Sequence, residues 1–134
     1  MDETRITRTI DLDADLAEVW RALTDPALLA SWLGDEVDLE VRPGGEGTVV
    51  DGGERRRARV DEVDPDRRLA LSWWPEDRSG PASTVELELE PTAVGTRLVV
   101  TETLAPHAAT ASTGRWGLRL LLLSCCLAPA LVRM

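Results

Sequence analysis

The chain has 134 residues, 43% hydrophobic and 29% charged, with 15 basic against 24 acidic residues and a formal net charge of −9. That length fits one domain able to hold a core without disulfides or metals, and the composition excludes a disordered chain. The acidic excess argues against a nucleic-acid partner, which normally requires a basic surface to neutralise phosphates. Lys, Asn, Gln, Phe and Tyr are absent, a usage that reads as the codon bias of a GC-rich genome. The chain opens on Met1-Asp2-Glu3 with no apolar run behind it, so no signal peptide is expected and a cytoplasmic location is.

Residues 4–12 read as a strand, with Ile6 and Ile10 among Thr and Arg. Asp13 or Asp15 then offers an N-cap, and Leu16, Val19, Trp20 and Leu23 fall at helical spacing. Asp25 and Pro26 restart a second short helix, whose apolar face is Leu28, Leu29, Trp32 and Leu33 and whose end is Gly34. From residue 37 the period changes to two, as Val37, Leu39 and Val41 alternate with Asp38 and Glu40. Turns at Pro43-Gly44-Gly45, Gly52-Gly53, Asp64-Pro65-Asp66, 75–81 and 91–95 separate further strands around 48–51, 54–63, 69–73, 84–90 and 98–100. Short turns between successive strands predict an antiparallel meander.

The remainder, from about residue 110, is helical in pattern and nearly all apolar, with Leu118, Leu120 to Leu123, Cys125, Cys126 and Leu127. Arg119 and Pro129 interrupt it, and the apolar run falls short of the roughly 20 residues a bilayer needs, so no membrane span is expected. One helix on one sheet buries only one face. A symmetric homodimer through this C-terminal helix is therefore expected, with Pro129 marking where the helix kinks or stops. The adjacent cysteines read as buried helix residues in a reducing compartment. The expected fold class is α+β: a helix-grip, with a curved six- to seven-stranded antiparallel sheet around a C-terminal helix and two short helices after strand 1. Residues 1–134 are read as one such domain.

Several segments carry a family likeness. Val19-Trp20, Ala22-Leu23-Thr24-Asp25-Pro26 and Trp32-Leu33 resemble the opening signature of the START-like (SRPBCC) superfamily, nearest to the C-terminal domain of the heat-shock-protein ATPase activator type. Arg42-Pro43-Gly44-Gly45 is similar to that family's glycine turn, and Val60-Asp61-Glu62-Val63-Asp64-Pro65 with Leu69 and Trp73 to its central hairpin. Gly95-Thr96-Arg97-Leu98 is similar to the turn into its last strand, and the likeness spans roughly residues 4–118. The resemblance implies a cavity between the concave sheet face and the last helix, often used for apolar ligands. It implies no particular activity, because one fold hosts many functions. The eukaryotic co-chaperone's N-terminal partner domain has no counterpart here, so stimulation of a chaperone ATPase is not expected.

Inward parity supplies the candidate site. If Leu98 and Val100 face inward so does Glu102, and if Ala58 and Val60 do so does Arg56. These two charges would pair with each other, orient a ligand, or lie past the cavity rim in water, since both stand toward strand ends. The ligand-facing set is Trp32, Arg56, Leu71, Trp73, Leu87, Val100, Glu102, Trp116 and Leu120, and Trp20 is read as a core anchor. Arg55, Arg57 and Arg59 read as solvated strand residues. His107 has no Cys or Asp neighbour, Ser124 lacks a G-x-S-x-G context, and the paired glycines join strands rather than cradle phosphate. No catalytic residue, metal or cofactor is expected. The leading expectation is a small apolar or amphipathic ligand bound without catalysis. A cyclase- or hydrolase-like enzyme using Glu102, Arg56 or His107 is one alternative, and an interaction module docking through the apolar helix is another.

Overall fold

The computed structural model describes residues 4–77, 82–104 and 119–123. Seven strands and two short helices follow one another: β1 (Thr4–Leu12), α1 (Leu16–Thr24), α2 (Pro26–Leu29), β2 (Glu36–Leu39), β3 (Glu46–Asp51), β4 (Glu54–Asp64), β5 (Arg68–Pro75), β6 (Ser83–Pro91) and β7 (Thr96–Leu104). Residues 119–123 are helical. His107, Trp116, Ser124, Cys125, Cys126 and Pro129 lie outside the described residues.

All seven strands form one antiparallel sheet in the order β1-β7-β6-β5-β4-β3-β2. The run from β2 to β7 is the expected meander. Adding β1 beside β7 brings the two ends of the fold together, with Ile6 opposite Glu102 and Leu12 opposite Thr96. Gly52 and Gly53, at φ of 62° and 82°, form the two-residue turn between β3 and β4, a backbone that non-glycine residues adopt at a cost. Alternation then decides the faces. In β6, Ser83, Val85, Leu87 and Leu89 are buried while Glu88 and Glu90 stand in solvent. A bulge between Val60 and Glu62 shifts the register of β4, so Val63 rather than Glu62 lies opposite Leu69.

Asp15 caps α1 by accepting from the Glu18 amide at 2.9 Å, and Asp25 ends that helix and opens α2 by accepting from Ala27 N at 2.9 Å. Pro26 takes the first helical position, where it sacrifices no hydrogen bond. Val19, Ala22 and Leu23 are fully buried, and Trp20 is only half-buried at the margin of that stripe. The expected core anchor thus packs at the core's edge, because it stands about 100° around the helix from Val19, which lies between Ala22 and Leu23 at the middle of the buried stripe. α2 is one turn long, and hydrogen-bonded turns carry the chain on to Leu33. Gly34 is not a left-handed helix stop. A Cβ there would lie 2.7 Å from the Val50 carbonyl oxygen, so glycine is required by the close approach to β3.

The sheet's concave face and the two helices share one core, from Val19, Leu23, Leu29 and Trp32 through Leu71, Leu87, Leu98 and Val100 to Leu120 and Leu123. Burying each such side chain contributes about 1.5–3 kcal/mol. Thr96, fully buried, donates from Oγ1 to the Ala14 carbonyl at 2.9 Å and ties β7 to the loop before α1. Among the described residues no helix is long and apolar enough to cross a membrane.

Candidate functional site

Among the described residues, three charged side chains lie in the interior on the concave side. Glu102 of β7 is 0% exposed, Arg119 of the C-terminal helical turn 3% and Arg56 of β4 8%. Arg56 and Glu102 are therefore not rim residues, as their positions toward strand ends suggested. The ring of Trp73 and the helical turn carrying Arg119 close over them.

Trp73 organises the group. Its indole Nε1–H is shared between Glu102 Oε2 and Ser83 Oγ, each at 2.9 Å, and the Ser83 hydroxyl in turn donates to Glu102 Oε2 at 2.7 Å. The register explains the triangle. Ser83 stands directly opposite Trp73 across β5–β6, and Glu102 lies opposite Val85 one inward step along. Both guanidiniums stack on the same indole, Arg56 at 4.8 Å and Arg119 at 5.0 Å from the ring centroid. Both distances are within the range where the ring quadrupole attracts a cation, and desolvation strengthens that attraction.

Two carboxylates of the β3–β4 hairpin complete the arrangement. Asp51 accepts from Arg119 at 2.8 Å, and Glu54 accepts from Arg56 at 3.0 Å. Burial pushes the Arg119 guanidinium below the ordinary arginine pKa; the hydrogen bond and charge of Asp51 oppose that, nearby Arg56 adds to the lowering, and Glu102 opposes it. Among the described residues, the interior thus holds two cations around one ring, with Glu102 buried beside them and two carboxylates at the rim.

The space beside this group is a cleft of about 130 Å³ between the turn after α2, the end of β3 and the C-terminal helical turn. Ser31, Asp35, Asp51 and Arg119 make its polar wall, and Trp32 and Leu122 its apolar one. Trp32 is held there by its Nε1–H, which donates to the Ala22 carbonyl at 3.0 Å.

Of the sequence-predicted set, Arg56, Trp73 and Glu102 come together. Trp32 lies on the cleft wall. Leu71, Leu87, Val100 and Leu120 are buried members of the core, and Trp116 lies outside the described residues. Arg55, Arg57 and Arg59 are exposed and pair with Glu76, Glu46 and Asp61. Pattern reasoning missed Arg119, Asp51 and Ser83. The signal for Arg119 was there: a single charge inside a run of leucines must find a partner if the run is buried. Among the described residues no cluster of His, Cys, Asp and Glu could hold a metal ion. The group can chemically do one thing well. It offers fixed charge and hydrogen-bond donors inside an apolar enclosure, which orients a polar end of a molecule whose remainder is apolar.

Comparison with solved structures agrees with this architecture. Protein MLL2253 of Mesorhizobium loti superposes with a TM-score of 0.85 at 22% identity, over 94% of this chain and 98% of its own. CalU16 of Micromonospora echinospora gives 0.79 at 28% identity, over 98% of this chain and 80% of its own. DynU16, a protein of the dynemicin biosynthetic locus, gives 0.75 at 27% identity over 96% of this chain, which spans only 47% of DynU16. No curated protein matches. The model of the family described as "Activator of Hsp90 ATPase homolog 1-like protein" matches residues 13–119, most of the sheet and both helices, and the chain belongs to that START-like family.

Proposed function

We propose that the protein binds a small amphipathic molecule between the concave sheet face and the C-terminal helix, and does so without catalysis. The observation that carries this reading is the buried set Arg56, Trp73, Glu102 and Arg119. Ionic groups in a core are seldom the most stabilising filling, and apolar residues of similar volume often serve stability as well or better. Their retention at the centre of a concave face supports a recognition role. Similarity to a protein from a biosynthetic locus adds support for a small organic molecule as the ligand.

Native mass spectrometry of the protein purified from its own host tests the reading directly, with a bound mass as the expected result. A ligand at about 100 times its dissociation constant stabilises the fold by roughly 2.7 kcal/mol. Protein that is ligand-free in that spectrum, and unshifted in melting temperature by a panel of fatty acids, flavonoids and polyketide-like aromatics, would overturn it.

A second reading concerns assembly. Leu121 and Leu122 are 60% and 41% exposed and adjacent, which supports a second copy of the chain as what covers them. Light scattering at micromolar concentration is expected to give a dimer that Leu121→Glu dissociates. A monomer whose mass the substitution leaves unchanged refutes the idea.

A further inference from the structure

At the other end of the strands from Trp73 the sheet leaves a notch. β5 pairs with β6 only as far as Arg68 opposite Glu88, while β6 and β7 continue together to Pro91 opposite Thr96. The β6–β7 hairpin therefore projects past the β4–β5 turn. The chain entering α1 lies against that projection, leaving no room for a Cβ on Gly95 beside the Leu12 carbonyl. Two hollows of about 540 and 550 Å³ flank the hairpin, and Leu16 and Pro91 line both. Together they make one groove across this end of the fold.

The groove joins apolar surface to uncompensated charge. Leu16 and Val99 are half-buried, Pro91 is exposed, and Val94, at 81%, is the most exposed large hydrophobic among the described residues. The lining holds seven carboxylates against two guanidiniums, a local excess of five in a chain of net charge −9. Both guanidiniums are engaged, Arg67 with Asp64 at 3.9 Å and Arg68 with Glu86 at 2.7 Å. Asp13, Asp15, Glu18, Asp66 and Glu88 are exposed, and among the described residues none forms an ion pair within 4 Å. The β4 strand differs, because Arg55, Arg57 and Arg59 are each answered by a carboxylate.

We propose that this groove docks a basic, partly apolar segment of another protein. Lysine or arginine side chains of the segment meet the carboxylates, and an apolar residue between them packs on Leu16, Pro91 and Val94. Charge complementarity selects this occupant, since opposite charge across an interface sets partner choice and encounter rate while like charge repels an acidic partner. The apolar lining separates a peptide from a bare polycation, which gains nothing from Leu16 or Val94. A metal ion fits poorly: the carboxylates are strung along four segments, and among the described residues no three of them converge on one point. The chain's net charge of −9 adds attraction at long range, so association is fastest at low ionic strength.

Heteronuclear NMR of the whole chain, titrated with three octapeptides, tests the proposal. One alternates Arg and Leu, one Glu and Leu, and one Arg and Ser. The Arg/Leu peptide is expected to shift the amides of residues 13–18, 64–68 and 88–95, and the Glu/Leu peptide none. The Arg/Ser peptide, with no apolar side chain to bury, is expected to bind at least about tenfold more weakly. Asp66→Asn combined with Glu88→Gln weakens the Arg/Leu peptide at least about tenfold, and both side chains are exposed, so the fold is kept. Raising salt from about 0.01 M to about 0.15 M slows association at least about tenfold. Shifts as large at residues 35–38 as in the groove overturn the proposal, as does an affinity that the double variant leaves unchanged. Equal affinity of the Arg/Ser peptide overturns it as well. A parent protein that is dimeric by light scattering, and monomeric as the double variant, assigns the groove to a second copy and overturns it too. So does the absence of shifts with the Arg/Leu peptide at millimolar concentration.

Discussion

Replacing Glu102 by Gln isolates what its negative charge contributes, because the shape is kept and the amide oxygen can still accept. Glu102 is 0% exposed and receives hydrogen bonds from Trp73 Nε1 at 2.9 Å and Ser83 Oγ at 2.7 Å. Hydrogen bonds to a charged group are worth about 1.5–3 kcal/mol each and neutral ones about 0.5–1.5, so two such bonds lose about 2–3 kcal/mol together. The charge also favours the ionised state of Arg119, which burial opposes. A total near 3 kcal/mol follows, or a factor of about a hundred in the folded-to-unfolded ratio. For a chain of 134 residues that is a fall of about 10 °C in melting temperature. Urea titration followed by tryptophan fluorescence measures it, with the midpoint falling and the slope unchanged. Ser83→Ala removes one of the two bonds to Glu102 outright, together with the acceptor that Ser83 offers Trp73 Nε1, and is expected to cost about 1.5–3 kcal/mol. A Glu102→Gln variant within about 0.5 kcal/mol of the parent, below the usual effect of losing one hydrogen bond, would refute the argument that this carboxylate compensates the buried guanidiniums.

Thr96→Val keeps the shape and removes the bond to the Ala14 carbonyl, leaving that buried acceptor unsatisfied; calorimetry is expected to show a loss of about 1–2 kcal/mol. Gly34→Ala places a Cβ 2.7 Å from the Val50 carbonyl oxygen and 2.9 Å from Val49 Cγ1, and the backbone shift that follows costs about 1–3 kcal/mol in the same assay. The hydrogen bond from Arg97 holds the Asp11 carboxyl below its ordinary pKa. With the folded value depressed, this pair's contribution is present above the unfolded aspartate pKa and lost as pH falls through the folded one. Carboxyl NMR should find Asp11 titrating below the usual aspartate range, and Asp11→Asn should remove that part of the acid limb of stability. A normal Asp11 midpoint would show that the surface pair contributes nothing.

The local code accounts for much of this protein. Strict alternation in β6, paired glycines at the β3–β4 turn, and an aspartate before each short helix specify strands, turns and helix starts through interactions within a few residues. The same alternation puts Arg56 and Glu102 on the inward side. What parity leaves undecided is depth. Whether an inward charge near a strand end meets water or the interior depends on what closes over it, and here that is Trp73 from a neighbouring strand and a helical turn from the far end of the chain. Arg119 and Asp51 are separated by 68 residues, and Trp73 and Glu102 by 29, so no window of sequence contains either pair. The pairing of β1 with β7 and the need for glycine at position 34 are of the same kind. Periodicity is a property of a segment and says which face is apolar. Partnership between charges is a property of the curved sheet and the helix lying across it, and arises only when both are assembled.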